Sequence, residues 1–140
     1  VLSKRDLPPT LYELPLKPES KKRQTAKQLG PVLTLPKPRR QDIEFAPATD
    51  NWWWQPTAMD IAHDGMAAVI LTYSGVFYYE RSEGEDWLAA FGRVPAVLSV
   101  SDYGEAESVA FNQAGTAIYI TFEGSGAPLL RIVPGETASQ

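Results

Sequence analysis

The chain has 140 residues, 44% of them hydrophobic, enough for one domain that buries a core. It has no cysteine, which excludes disulfides and thiolate metal sites, and a single histidine, His63, which leaves histidine-dependent chemistry one candidate. The net charge of −4 is unevenly spread: residues 1–40 carry ten Lys and Arg against three Asp and Glu, residues 41–140 three against fourteen.

The opening Val1-Leu2-Ser3 reads as a short strand, without the charged and then apolar organisation of a signal peptide. No apolar run approaches the length of a membrane span, so none is expected. A strand is predicted over Leu11–Leu16 and another over Gly30–Leu35. Between them lies the most basic stretch, Lys17 to Lys27. A basic arm can serve nucleic acid, but this one has no interleaved aromatic residue for base stacking and sits between two strands. It reads as a solvated hairpin loop, and no nucleic-acid partner is expected.

Residues 37–56 read as a long irregular connection, bounded by Lys37-Pro38-Arg39-Arg40 and Pro56. Within it, Asp50-Asn51-Trp52-Trp53-Trp54-Gln55 offers three adjacent indoles. Neighbouring side chains on an extended backbone point to opposite faces, so Trp52 and Trp54 would share one and Trp53 the other. That pair suits stacking on a sugar, a peptide or a cation, or alternatively sealing the gap between two sheets.

Two later stretches align on a glycine turn. Met59 to Tyr73 and Val109 to Phe122 each run from a short apolar strand, through Ala62-His63-Asp64-Gly65 or Asn112-Gln113-Ala114-Gly115, into a β-prone strand ending Thr-aromatic. Glycine fits these turns because they demand a positive φ. Each unit meets a second glycine turn and a third apolar strand, Val76–Tyr79 or Pro128–Val133. A fourth strand, Val94–Val100, follows the first unit, and a short helical turn is predicted near Asp86–Ala90.

These turns resemble the Ser-Pro-Asp-Gly turn of WD40-like and TolB-like bacterial β-propeller repeats, over about two thirds of the chain. His63 stands where the repeat has Pro, and Ala114 where it has Asp. The resemblance implies an all-β fold of β-propeller blades, antiparallel four-stranded sheets in an incomplete propeller. Residues 1–36 would be the back strands of one blade, 57–100 a complete blade, 106–134 the first three strands of a final blade, and 135–140 a C-terminal tail. Propellers close with four to eight blades, so the chain would be the C-terminal part of a larger one. Its expected partner is the missing N-terminal segment, a second chain or another copy of itself, since open sheet edges invite pairing. The Thr-, Gly- and Pro-rich style is similar to extracytoplasmic bacterial propellers, which implies a periplasmic or secreted location.

The residues themselves support little chemistry. There is no phosphate-cradling loop, no zinc-ligand spacing and no nucleophile elbow, and His63 reads as a turn residue. The resemblance implies a binding or interaction scaffold taking a small ligand or a protein at the channel mouth, with Trp52, Trp54, Thr57, Asp60 and Glu107 as its candidate residues. No cofactor is expected for that reading. The alternative it implies is a metal-assisted hydrolase or lactonase, with Asp60 and Glu107 among the oxygens around a divalent cation such as calcium at the central channel. The acids Glu80, Glu83, Glu85 and Asp86 read as a surface loop.

Overall fold

The computed structural model describes residues 1–15, 17, 23–37, 55–100 and 106–135. Trp52, Trp53 and Trp54, most of the 37–56 connection and the end of the tail lie outside the described residues. The described residues form an all-β protein of antiparallel sheets. Its strands are β1 (Thr10–Glu13), β2 (Lys27–Pro31), β3 (Pro56–Ile61), β4 (Ala67–Thr72), β5 (Gly75–Glu80), β6 (Ala96–Val100), β7 (Ala106–Phe111), β8 (Ile118–Phe122) and β9 (Leu129–Ile132). Among the described residues there is one helix, the four-residue α1 (Trp87–Ala90), capped by Asp86, whose carboxylate accepts from the Ala89 amide.

Three sheets result: β1-β2, the central β3-β4-β5-β6, and β7-β8-β9. Residues 1–3 extend the first along the free side of β1, through the Leu2–Leu11 bridge and the Ser3 amide donating to the Thr10 carbonyl at 2.9 Å.

The hydrophobic pattern of β4 explains the stacking. All six of its residues are buried, an apolar run characteristic of a strand covered on both faces. Alternation sends Ala68 and Ile70 to one side, where they meet Leu11, Val32, Leu35 and Phe91, with Phe77 and Tyr79 of β5 beside them. Val69 and Leu71, with Val76, face Val109, Ile118 and Ile120 of the third sheet. The central sheet is therefore the middle layer of three.

The two glycine turns are the same structure. Gly65 and Gly115 have φ of 71° and 70°. Their amides donate to Ala62 and Asn112 carbonyls at 2.8 and 2.9 Å, and Ala62 and Asn112 donate in turn to Ala67 and Ala117. The register agrees pair for pair. Met59–Ile70 and Ile61–Ala68 in the central sheet correspond to Val109–Ile120 and Phe111–Ile118 in the third, each 50 residues on. Either glycine replaced by alanine is expected to cost about 1–2 kcal/mol, because an L-residue resists that φ, and denaturant titration would read it as a lowered midpoint.

Two details differ from the sequence reading. The Thr-aromatic ends are one residue out of phase: Thr72 pairs with Pro56, and Phe122, not Thr121, pairs with Ala106. The strand expected over Gly30–Leu35 instead ends at Pro31, which has no amide to continue a ladder. Val32 and Leu35 still reach the core, from irregular backbone, with the Val32 amide donating to the Pro9 carbonyl at 2.8 Å. The two units also differ from each other in one connection: two residues join β4 to β5, whereas six join β8 to β9.

Candidate functional site

Strands β3 and β7 are each first in their sheet, and each carries an irregularity at the same place. The register slips between Pro56 and Ala58 in one and between Ala106 and Ser108 in the other, leaving Thr57 and Glu107 as the extra residues. A bulge frees a residue from the ladder and re-aims its side chain. Two of the sequence candidates are thus structurally equivalent positions.

Glu107 is the hub of a cluster joining three segments. Its Oε1 accepts from the Tyr73 hydroxyl at 2.8 Å, and its two oxygens accept from Lys4 Nζ at 3.2 and 3.4 Å. Lys4 Nζ also donates to the Tyr73 oxygen at 2.8 Å and lies 5.1 Å from the centre of its ring. The Tyr73 hydrogen bond does most to push the Lys4 pKa up; burial opposes it, and Glu107 adds to the rise. Both charged side chains retain substantial exposure, 41% and 34%, so solvent screens the pair and its worth is geometric more than energetic. Lys4 comes from the loop before β1, Tyr73 from the β4–β5 turn and Glu107 from β7. The composition and periodicity of the chain hold no signal for Lys4 or Tyr73, since only tertiary packing brings them together.

Asp60 serves a different contact. Its Oδ2 accepts from the Phe111 amide at 2.8 Å, a bond from the central sheet to the third. The last residue of β7 thereby finds an acceptor outside its own ladder. Asp60→Ala would leave that amide unpaired, and an expected loss of about 1–3 kcal/mol in denaturant titration checks the assignment. Thr57 is half-buried, and its Oγ1 has no hydrogen-bond partner among the described residues.

Asp60 and Glu107 therefore have separate partners. Among the described residues, no three His, Asp or Glu side chains converge as metal ligands. In the acidic loop, Glu85 is held at about 2 by its hydrogen bond from Arg93 and next by the Ser82 amide. A carboxylate so depressed supports the fold above its ordinary pKa near 4.5, and that support fades as pH falls from there toward 2. Arg93 also donates to the Glu80 carbonyl, so this pair pins the loop between β5 and α1. Among the described residues, no helix is long and apolar enough to cross a membrane.

Searches against protein-family models, curated proteins and solved structures find no match to this chain.

Proposed function

We propose that the chain is a segment of a β-propeller-type interaction scaffold, whose stacked sheets are blades and whose third sheet docks a protein partner along its open side. The observation that carries this reading is the 50-residue correspondence of register, turn and bulge between the second and third sheets. Units related in this way stack in one sense: each buries one face on the unit before it and offers the other to the unit after.

On the central sheet the offered face is Val69, Leu71 and Val76, covered by the third sheet. The corresponding face of the third sheet carries Tyr119, Thr121, Leu129 and Arg131, of which Leu129 is 62% exposed. Among the described residues nothing covers it, and no strand pairs with β9 where β6 pairs with β5. An unpaired edge beside an exposed face is a place for a further strand to add. Asp60 and Glu107, the carboxylates a metal-assisted hydrolase or lactonase would require, already serve as acceptors between sheets, which favours binding over hydrolysis.

Sedimentation velocity over a hundredfold concentration range tests the scaffold reading in its simplest form, self-association. The expected result is a sedimentation coefficient that rises with concentration, and a weaker rise for Leu129→Lys. A chain that stays monomeric throughout, and that captures no propeller segment offered in trans, would contradict the proposal.

A further inference from the structure

A cleft of about 900 Å³ opens between the first sheet and the central sheet, away from the Glu107 cluster and independent of the scaffold reading. Its size lies within the usual range of small-molecule sites. The floor is apolar, from Leu11, Leu29, Met59 and Phe91, and Leu88 of α1 closes one side. At the mouth, Leu14 and Ile61 remain 42% and 40% exposed, apolar surface that the described residues leave uncovered.

The charges around the cleft are unequal in their commitments. Lys27 and Glu13 pair with each other at 3.3 Å. Asp86 caps α1 through the Ala89 amide. Glu85, the next acid in that loop, is taken by Arg93 and the Ser82 amide. Arg81 is the exception. Its guanidinium lies over the Trp87 ring at 4.7 Å, and its Nε is buried with no hydrogen-bond partner among the described residues. The Trp87 ring stacks on Phe91 at 5.4 Å, so the cation rests on a fixed aromatic wall. A guanidinium held this way keeps its terminal Nη groups, whose parallel N–H bonds can donate to a planar carboxylate in fork geometry. Glu85, the acid whose carboxylate feels the Arg81 charge, is hydrogen-bonded to Arg93 and the Ser82 amide instead.

We propose that the cleft binds an amphipathic monocarboxylate, its hydrocarbon part against Leu29, Met59 and Leu88 and its carboxylate on Arg81. The hydrocarbon contributes affinity in proportion to the surface it buries, and the arginine selects the head group.

The test uses the whole chain, titrated by calorimetry with decanoate, decanol and decyltrimethylammonium below their micelle concentrations. Expected are saturable one-to-one decanoate binding, weaker binding of decanol and the weakest of the ammonium compound. Arg81→Gln should weaken decanoate at least about tenfold, the scale of one charge-assisted hydrogen bond, and leave decanol unchanged. Arg81→Lys, which keeps the charge and loses the fork, should fall between and serves if the glutamine variant does not fold. Ile61→Ser should weaken decanoate and decanol alike. The indole resonance assigned by its loss in Trp87→Phe should shift on adding decanoate. Absence of saturable decanoate binding, equal affinity for all three head groups, or decanoate affinity unaffected by both Arg81 substitutions would each overturn the proposal.

Discussion

Ile70→Ala is expected to lower stability by about 3–4 kcal/mol. The side chain is fully buried on the middle strand of the middle layer, paired across to Met59 on one side and Phe77 on the other. It sits in the cluster with Leu11, Val32, Leu35 and Phe91, so its loss opens a cavity shared by the first and central sheets. Truncations of this kind cost about 2–5 kcal/mol, more where neighbours cannot collapse inward, and β4 is hydrogen-bonded on both edges. Against a whole-domain stability of about 5–15 kcal/mol, such a loss shows directly in a urea titration as a lower midpoint at similar slope. Ile120, its counterpart 50 residues on, is equally buried, and Ile120→Ala should cost a comparable amount. Val97→Ala on β6, where the side chain is 52% exposed, should stay within about 0.5 kcal/mol. An Ile70→Ala cost below that of Val97→Ala would contradict the layered core.

The second large effect is alkaline. Tyr79 is 2% exposed, its ring edge-on to Phe91 at 4.8 Å, and burial pushes its hydroxyl up to about 12, with a hydrogen bond to Thr34 pulling slightly the other way. In the unfolded chain the same hydroxyl ionises near 10. The folded pKa is the higher, so this contribution to stability is complete below pH 10 and is lost as pH rises through 12. At about 1.4 kcal/mol for each pH unit between the two values, the loss approaches about 3 kcal/mol. Tyr78 shifts in the same direction, chiefly by burial and then by the charges of Glu80 and Asp64. Urea midpoints measured from pH 8 to 12 should therefore fall steeply above pH 10 in the parent protein and less steeply in Tyr79→Phe. Equal slopes for the two proteins would place Tyr79 in water.

What the sequence could and could not convey follows from the range of each interaction. The turns at Gly65 and Gly115 were legible because a positive φ is a local demand that one residue type meets best. The strand character of β4 was legible in its β-prone run, whereas its burial on both faces depends on the sheets stacked against it. The short helix was marked by Asp86 ahead of an apolar segment, a capping signal written in neighbouring residues. The strand phase at Thr72 and Phe122 was misread because Thr-aromatic is a pattern of types, whereas register is set by the ladder and by the bulges at Thr57 and Glu107. Thr57 and Glu107 each stand eight residues before their turn glycine, Gly65 or Gly115, so their equivalence is legible by counting. Their surroundings were not, since Lys4 stands 103 residues from Glu107 and nothing local ties them. Arg81 over Trp87 escaped for a related reason: the six-residue spacing fits no regular strand or helix contact, and a loop closes it.

Residue-resolved hydrogen exchange on the 140-residue chain, at low and high concentration, tests the stacked-sheet account most directly. The account predicts slow exchange in β4 and β5 at every concentration. In β9 it predicts fast exchange of the amides that point away from β8 when the chain is dilute, and protection of those same amides once it associates or a partner segment is added. Slow exchange along the outer side of β9 in a dilute monomer, or fast exchange in β4, would contradict it.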